Sequence, residues 1–291
     1  MAYDTYIDIV NTVLSKIGVT DDDVETIVRQ AVNDCMQEIC QAYNFSWLYS
    51  DTSFITVAPY SEGTVTVTEG SPNIVGSQTN FTSSMVNRKF FCDNSTYVIL
   101  SVTDTTHLTL KTNYAGVSGS YSYKIYQDEY NLASDVGNIL SVRQEYYPQK
   151  LIGVNVEYLD KYYPMRKDFG YPYFYCKLNN NKIALYPIPN QARNIYYRYK
   201  KIVSDMVNDS DVPVIPEQYR YVLAKGALYM TAKSLDMPDI GKDYQVEYQQ
   251  AIARIINDDK ETDERIVKGS YSDLEELQGT FVGSNYPLIP L

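Results

Sequence analysis

Apolar residues step by threes and fours at the start of the chain. Ile7, Val10, Val13, Leu14 and Ile17 share one helical face, and Gly18 follows as a stop. Thr20 or Asp21 caps a second helix whose first turn is acidic, where the helix dipole favours negative charge. Val24, Ile27, Val28, Ala31, Val32, Cys35, Ile39 and Ala42 form its apolar stripe, which ends near Tyr43 to Phe45. Trp47, just beyond, is expected to anchor the helix end in the core.

From Phe54 to Gln127 the period changes to two. The alternation predicts strands at Phe54–Ala58, Thr64–Thr68, Phe90–Phe91, Tyr97–Val102, Leu108–Lys111 and Tyr121–Gln127, divided by the turn segments SEG, EGSPN, DNS, TDTT and AGVSGS. That is an all-β unit of about 70 residues, a sandwich or barrel. Helical or mixed sequence flanks it, so it reads as an insertion. Residues 139–201 are mixed: a strand from Ile139 to Tyr147, a strand passing into a short helix stopped by Pro164, a hairpin turning at Asn179-Asn180-Asn181, and a Tyr-rich strand in RNIYYRYKKI. Helical spacing returns at IPEQYRYVLAKGALYMTAKSL, with Pro216 at the first helical position and Tyr219, Val222, Leu223, Gly226, Ala227 and Met230 on one face. A last helix is expected from about Gly241 to Asp263, with Tyr244, Tyr248, Ala251, Ile252 and Ile255 facing inward.

The fold class expected is α+β: a helical core, an inserted small all-β domain, a mixed hairpin section and an extended tail. The segments are 1–53 (N-terminal helices), 54–127 (β insertion), 128–264 (hairpin section and helices completing the core) and 265–291 (tail). The tail carries apolar residues without sustained period, a pattern that suits docking on a partner.

Composition narrows the function. The chain has 291 residues, 44% of them hydrophobic, enough for a sizeable core. MAYDTYIDIV lacks a basic n-region and an apolar h-region, so no secretion signal is expected, and no apolar run has the length of a membrane span. Four scattered cysteines fit a reducing compartment. A formal net charge of −11 argues against gripping nucleic acid, which needs clustered cations, but lets DNA pass without sticking. Thirty tyrosines suit protein interfaces, though strand content and an AT-rich genome account for them equally well.

Candidate chemistry is sparse. The one histidine, His107, lies beside a Thr-rich turn and reads as a surface or structural residue. No Cys/His spacing fits zinc, and TDDDVE and NDSDVP lack the glycine and closing glutamate of a calcium loop. GVSGS at 116–120 misplaces the last glycine of a nucleophile elbow, and no phosphate-binding glycine motif occurs. No catalytic residue, cofactor or metal is assigned. Tyr97, Tyr114, Tyr121, Tyr123 and Tyr126 of the β unit could stack on sugar rings or serve as cross-strand packing partners.

The order of parts carries a resemblance. An inserted β unit opens with GTVTVTEGS..IVGS.TNF; the hairpin KLNNNKIALYPIP and the strand IYYRYKK follow; then comes IPEQYRYVLAKGALYMTAKSL. Over roughly residues 5–260 this resembles the head-to-tail adaptor (connector) proteins of tailed bacteriophages, podovirus type. The resemblance implies a virion protein of the neck, assembled in the host cytoplasm and not an enzyme. It would form a ring of about twelve copies beneath the portal protein, meet a tail nozzle or other tail ring protein, and line a channel for DNA. Tail residues Leu274, Leu277, Phe281, Tyr286, Leu288, Ile289 and Leu291 are the expected portal-docking contacts. The alternatives are a glycan-binding minor tail or adhesion protein using the β unit, and another neck or tail ring protein.

Overall fold

The computed structural model describes residues 3–18, 21–146 and 149–281, with side chains described on the last helix as far as Lys260. The helices are α1 (Tyr6–Ile17), α2 (Asp22–Ala42), α3 (Val156–Tyr162), α4 (Tyr221–Ser234) and α5 (Pro238–Phe281). The chain divides into two compact units: residues 1–49 with the chain from 202 onward, and residues 50–201. The hairpin section, grouped with the later helices on sequence grounds, lies in the second unit.

The first unit is built from α1, α2, α4 and α5. The Asp8 carboxylate accepts from the Thr5 backbone N–H at 3.0 Å and from its hydroxyl at 2.6 Å, which caps α1; Gly18 closes it in the left-handed region at φ 76°. Two more free N–H groups of α1, on Tyr6 and Ile7, donate to Asp211 and Asp209 carbonyls at 2.8 and 3.2 Å. The buried stripe of α2 includes Met36 and Cys40 as well as Val24, Val28, Ala31, Val32, Cys35 and Ile39, while Ile27 is half-buried and Ala42 is exposed. At its end Phe45 and Leu48 are fully buried, and Trp47 is only half-buried, stacked on Phe45 with ring centroids 4.2 Å apart.

Helix α4 is buried on nearly every side because α1, α2 and α5 all pack on it. Gly226 makes the closest approach: a Cβ there would lie 2.2 Å from Cys35 Sγ on α2 and 2.7 Å from the Tyr248 ring on α5. Tyr248, Ala251 and Ile255 bury the α5 face, and Asp259 ends this contact by accepting from the Ser46 hydroxyl at 2.7 Å and its backbone N–H at 3.1 Å.

Helix α5 runs to Phe281 where an extended tail was expected from residue 265. Val267, Tyr271, Leu274, Leu277 and Phe281 do recur every three or four positions; Gly269 and Gly279 disguise the period without breaking the helix. At 44 residues the helix is about 66 Å long.

The second unit opens with β1 (Tyr49–Ile55) and continues into a barrel-like sheet of β2 (Thr64–Val67), β3 (Asn73–Ser77), β4 (Lys89–Cys92), β5 (Ser95–Val102), β6 (His107–Leu110), β7 (Gly119–Tyr121) and β8 (Tyr123–Tyr126). Its strand order is β7-β2-β3-β6-β5-β4-β8. The two edge strands, β7 and β8, are separated in sequence only by Ser122, so one bent segment pairs with both ends of the sheet and curls it until nearly closed. Val65, Val67, Ile74, Phe90, Ile99, Leu108, Leu110 and Ile125 fill the interior. The sequence reading missed β3, where only Ile74 points into this core and Gly76 leaves no side chain to show an alternation.

After the barrel come β9 (Glu129–Asn131), β10 (Val136–Gln144), β11 (Ile152–Gly153), β12 (Phe169–Gly170), β13 (Phe174–Leu178), β14 (Lys182–Tyr186), β15 (Ile188–Pro189) and β16 (Asn194–Lys201). They form sheets in the orders β1-β16-β10 and β11-β13-β14-β9, with β12 paired to β15. Strand β14 is apolar on both faces: Ile183 and Leu185 enter one core with Val142, Ile195, Tyr197 and Tyr199, while Ala184 and Tyr186 enter another with Leu159 of α3. The turn at Asn179-Asn180-Asn181 forms as expected, with Asn180 and Asn181 at φ 64° and 56°, a region asparagine tolerates.

The Gly226 contact gives a stability test. Gly226→Ala is expected to cost about 1–3 kcal/mol through overpacking, lowering Tm by about 2–4 °C per kcal/mol. Thermal unfolding followed by circular dichroism measures it, and a variant melting with the wild type would contradict the close approach of α2, α4 and α5.

Candidate interaction surfaces

The groups that could carry chemistry are occupied locally or buried. His107 is exposed, and its Nδ1 lies 3.0 Å from the Asp104 carboxylate. Asp104 also accepts from the Thr106 and His107 backbone N–H groups at 2.7 and 2.8 Å. The Thr106 N–H first, then the His107 and Thr106 side chains, hold the Asp104 carboxyl down at about 2. These bonds close the tight turn between β5 and β6. Among the described residues no cluster of three or more His, Cys, Asp or Glu side chains could hold a metal ion.

All four cysteines are free and buried. Burial pushes the Cys35 thiol up to about 12 and the Cys92 thiol up to about 11, so neither is poised as a thiolate. The Cys35 sulfur lies 3.5 Å from the Tyr248 hydroxyl inside the helical unit.

The β-unit tyrosines do not form a sugar-stacking platform. Tyr97, Tyr114, Tyr123 and Tyr126 are buried, and Tyr121 is half-buried against the same core. Tyr123 stacks on Phe90 at 5.6 Å and donates its hydroxyl to the Glu62 carbonyl at 2.6 Å. These rings are packing partners, which removes the observation that motivated a glycan-binding reading.

The exposed aromatic surface lies elsewhere, around α3. This helix buries only Leu159. Its Asn155 cap accepts from the Tyr158 N–H at 2.8 Å, fixing the first turn. Tyr158 and Tyr162, one turn apart, pair with ring centroids 4.8 Å apart, and Tyr158 packs edge-on against Phe174 of β13. Ile152 of β11 joins this region by donating its N–H to the Tyr173 carbonyl at 2.8 Å. The side chains of Ile152, Tyr162, Met165 and Tyr173 are 59%, 56%, 66% and 50% exposed. Clustered apolar and aromatic surface of this kind marks contact sites. Sequence reasoning missed it because the Tyr158–Tyr162 spacing looks the same whether a helix face is covered or bare.

Of the expected docking residues, Leu274, Leu277 and Phe281 lie on the backbone of α5, and their side chains fall outside the described ones. Tyr286, Leu288, Ile289 and Leu291 lie outside the described residues altogether. No helix among the described residues is long and apolar enough to cross a membrane.

A family model described as SU10 adaptor protein matches residues 85–269, from the barrel's first half through the hairpin section into α5. No curated protein matches the chain.

Thiol reactivity tests the burial. Ellman's reagent at pH 8 is expected to leave the native protein's cysteines unreacted and to titrate all four after denaturation. Fast release of a thiol equivalent from the folded chain would show that Cys35 or Cys92 is less enclosed than described.

Proposed function

The chain belongs to the SU10 adaptor protein family, and on that premise we propose that it is a structural virion protein, a head-to-tail adaptor of a short-tailed (podovirus) phage. It forms a ring of about twelve copies beneath the portal, joins the portal to the next tail component and surrounds the path of the DNA. The family match over residues 85–269 carries the adaptor role, and the ring, the portal and the phage type are our extension of it.

Physical features support it. The surface around Ile152, Tyr158, Tyr162, Met165 and Tyr173 is apolar area that a neighbouring protein chain would remove from water. A head-to-tail contact of this kind closes into a ring when its rotation divides the circle. Helix α5 continues for several turns past Asp259, the last buried side chain described on it, and so offers an element for docking on the portal. The net charge of −11 repels phosphates and leaves DNA free to move through a channel.

Electron microscopy of the purified protein with and without portal rings tests the reading. Rings seated on the portal are expected. Deleting residues 265–291 is expected to leave a folded protein that no longer binds the portal; undiminished binding would remove the docking role of this segment. Tyr158→Asp combined with Tyr162→Asp is expected to keep the native circular dichroism spectrum while abolishing ring assembly. Unimpaired rings from that variant would move the subunit contact off α3.

A further inference from the structure

A cleft of about 680 Å³ opens within the second unit between the barrel and the start of the hairpin section. Four cations line it, Arg88, Lys89, Lys111 and Lys182, against two carboxylates, Asp128 and Glu129. This is a local positive excess on a chain whose net charge is −11.

The two carboxylates are already engaged. Lys89 Nζ meets Asp128 at 2.6 Å and Glu129 at 3.7 Å, and Lys182 meets the other Glu129 oxygen at 3.7 Å. Burial alone would pull the Lys89 ammonium down, but Asp128 and Glu129 outweigh it and raise its pKa. Arg88 and Lys111 are left over: among the described residues neither has a carboxylate at ion-pair distance. Arg88 is half-buried, and its Nε is enclosed without an acceptor. A desolvated guanidinium with an unused donor is costly and calls for an explanation. The backbone holds it firmly, since the Arg88 N–H donates to the Met85 carbonyl at 3.1 Å and its carbonyl accepts from Ile99 at 3.0 Å. Lys111 is fixed by its own N–H, which donates to the Val98 carbonyl at 2.8 Å.

We propose that this cleft binds an acidic segment of a partner protein, with a carboxylate taken by the planar fork of Arg88 and a second acidic group near Lys111. A guanidinium matches a carboxylate with two parallel hydrogen bonds. A nucleic-acid backbone fits less well, because Asp128 and Glu129 sit in the same lining and would repel a continuous row of phosphates. The site uses neither the α3 surface nor the C-terminal helix, so it stands independently of the ring.

The test measures anisotropy of a fluorescent hexaglutamate peptide titrated with the full-length protein at low salt. The wild type is expected to bind, Arg88→Gln and Lys111→Gln each to weaken binding about tenfold, and Arg88→Lys to restore only part of it. Lys233→Gln, on an exposed site of α4, is expected to bind as the wild type does. Should Arg88→Gln fail to fold, Lys111→Gln carries the test, because its side chain is exposed. Absence of wild-type binding, or binding by Arg88→Gln and Lys111→Gln as tight as the wild type's, overturns the site. Tripolyphosphate displacing the peptide at lower concentration than glutarate overturns the choice of a carboxylate ligand.

Discussion

The fold depends on bringing together two helical segments that the chain places on either side of residues 50–201. The interaction that does this is an amide pair. Asn33, buried on α2, donates to the Met206 carbonyl at 3.0 Å and accepts from the Met206 N–H at 2.9 Å. A side-chain amide thus stands in for a neighbouring strand. Gln37, one turn on, adds a bond to the Val203 carbonyl at 2.9 Å. The returning segment then turns at Asp211, whose carboxylate accepts from the Val207 and Asn208 N–H groups at 2.7 and 2.8 Å, and its backbone carbonyls cap α1. The chain beyond this segment forms α4, whose Gly226 lets it approach Cys35 of α2 and Tyr248 of α5 closely. An apolar residue in place of Asn33 would leave the Met206 amide buried without a partner.

The second unit solves the matching problem. Its first and last strands, β1 and β16, are neighbours in one sheet, so the segment begins and ends at the same place. Between them the barrel hides its edges by using Gly119–Tyr126 twice, and β14 separates two cores. Both devices economise on strands. The barrel's two edge strands, β7 and β8, belong to one continuous segment, and β14 supplies apolar side chains to both of its faces.

Features set by local chemistry were legible in the sequence. The Gly18 stop and the Asn-rich turn follow from single residues whose backbone preferences are strong, and the structure has both; of Thr20 and Asp21, Asp21 takes the N-cap position of α2 without a side-chain capping bond. The inward faces of α4 and α5 were legible too, because a covered face requires a period. What was not legible depended on partners distant in the chain. The burial of Asn33 carries no signal in the local sequence, and only Met206, far along the chain, explains it. The α3 surface could not be distinguished from a buried one, since Tyr158 and Tyr162 have helical spacing either way. The α5 extension was present in the spacing from Val267 to Phe281 but was masked by two glycines that a long helix tolerates at modest cost.

The abundance of tyrosine has a physical account that composition alone does not give. Inside both units the ring fills a core while the hydroxyl reaches a polar group that a phenylalanine would leave unpaired. Tyr6 donates to the Arg29 carbonyl at 2.7 Å, Tyr199 to Asp135 at 2.8 Å, and Tyr197 accepts from the Ala133 N–H at 2.9 Å. Tyr130 does both, donating to the Gln127 carbonyl and accepting from the Val57 N–H. These tyrosines tie irregular backbone to the cores beside it, which suits a unit of short strands and many turns. On α3 the same side chain behaves differently. The rings of Tyr158 and Tyr162 touch each other and half face the solvent, and no described hydrogen bond uses their hydroxyls. An amphipathic side chain whose ring is partly exposed and whose hydroxyl is unused has the chemistry of a protein contact, and Tyr158 and Tyr162 place two of them side by side on α3.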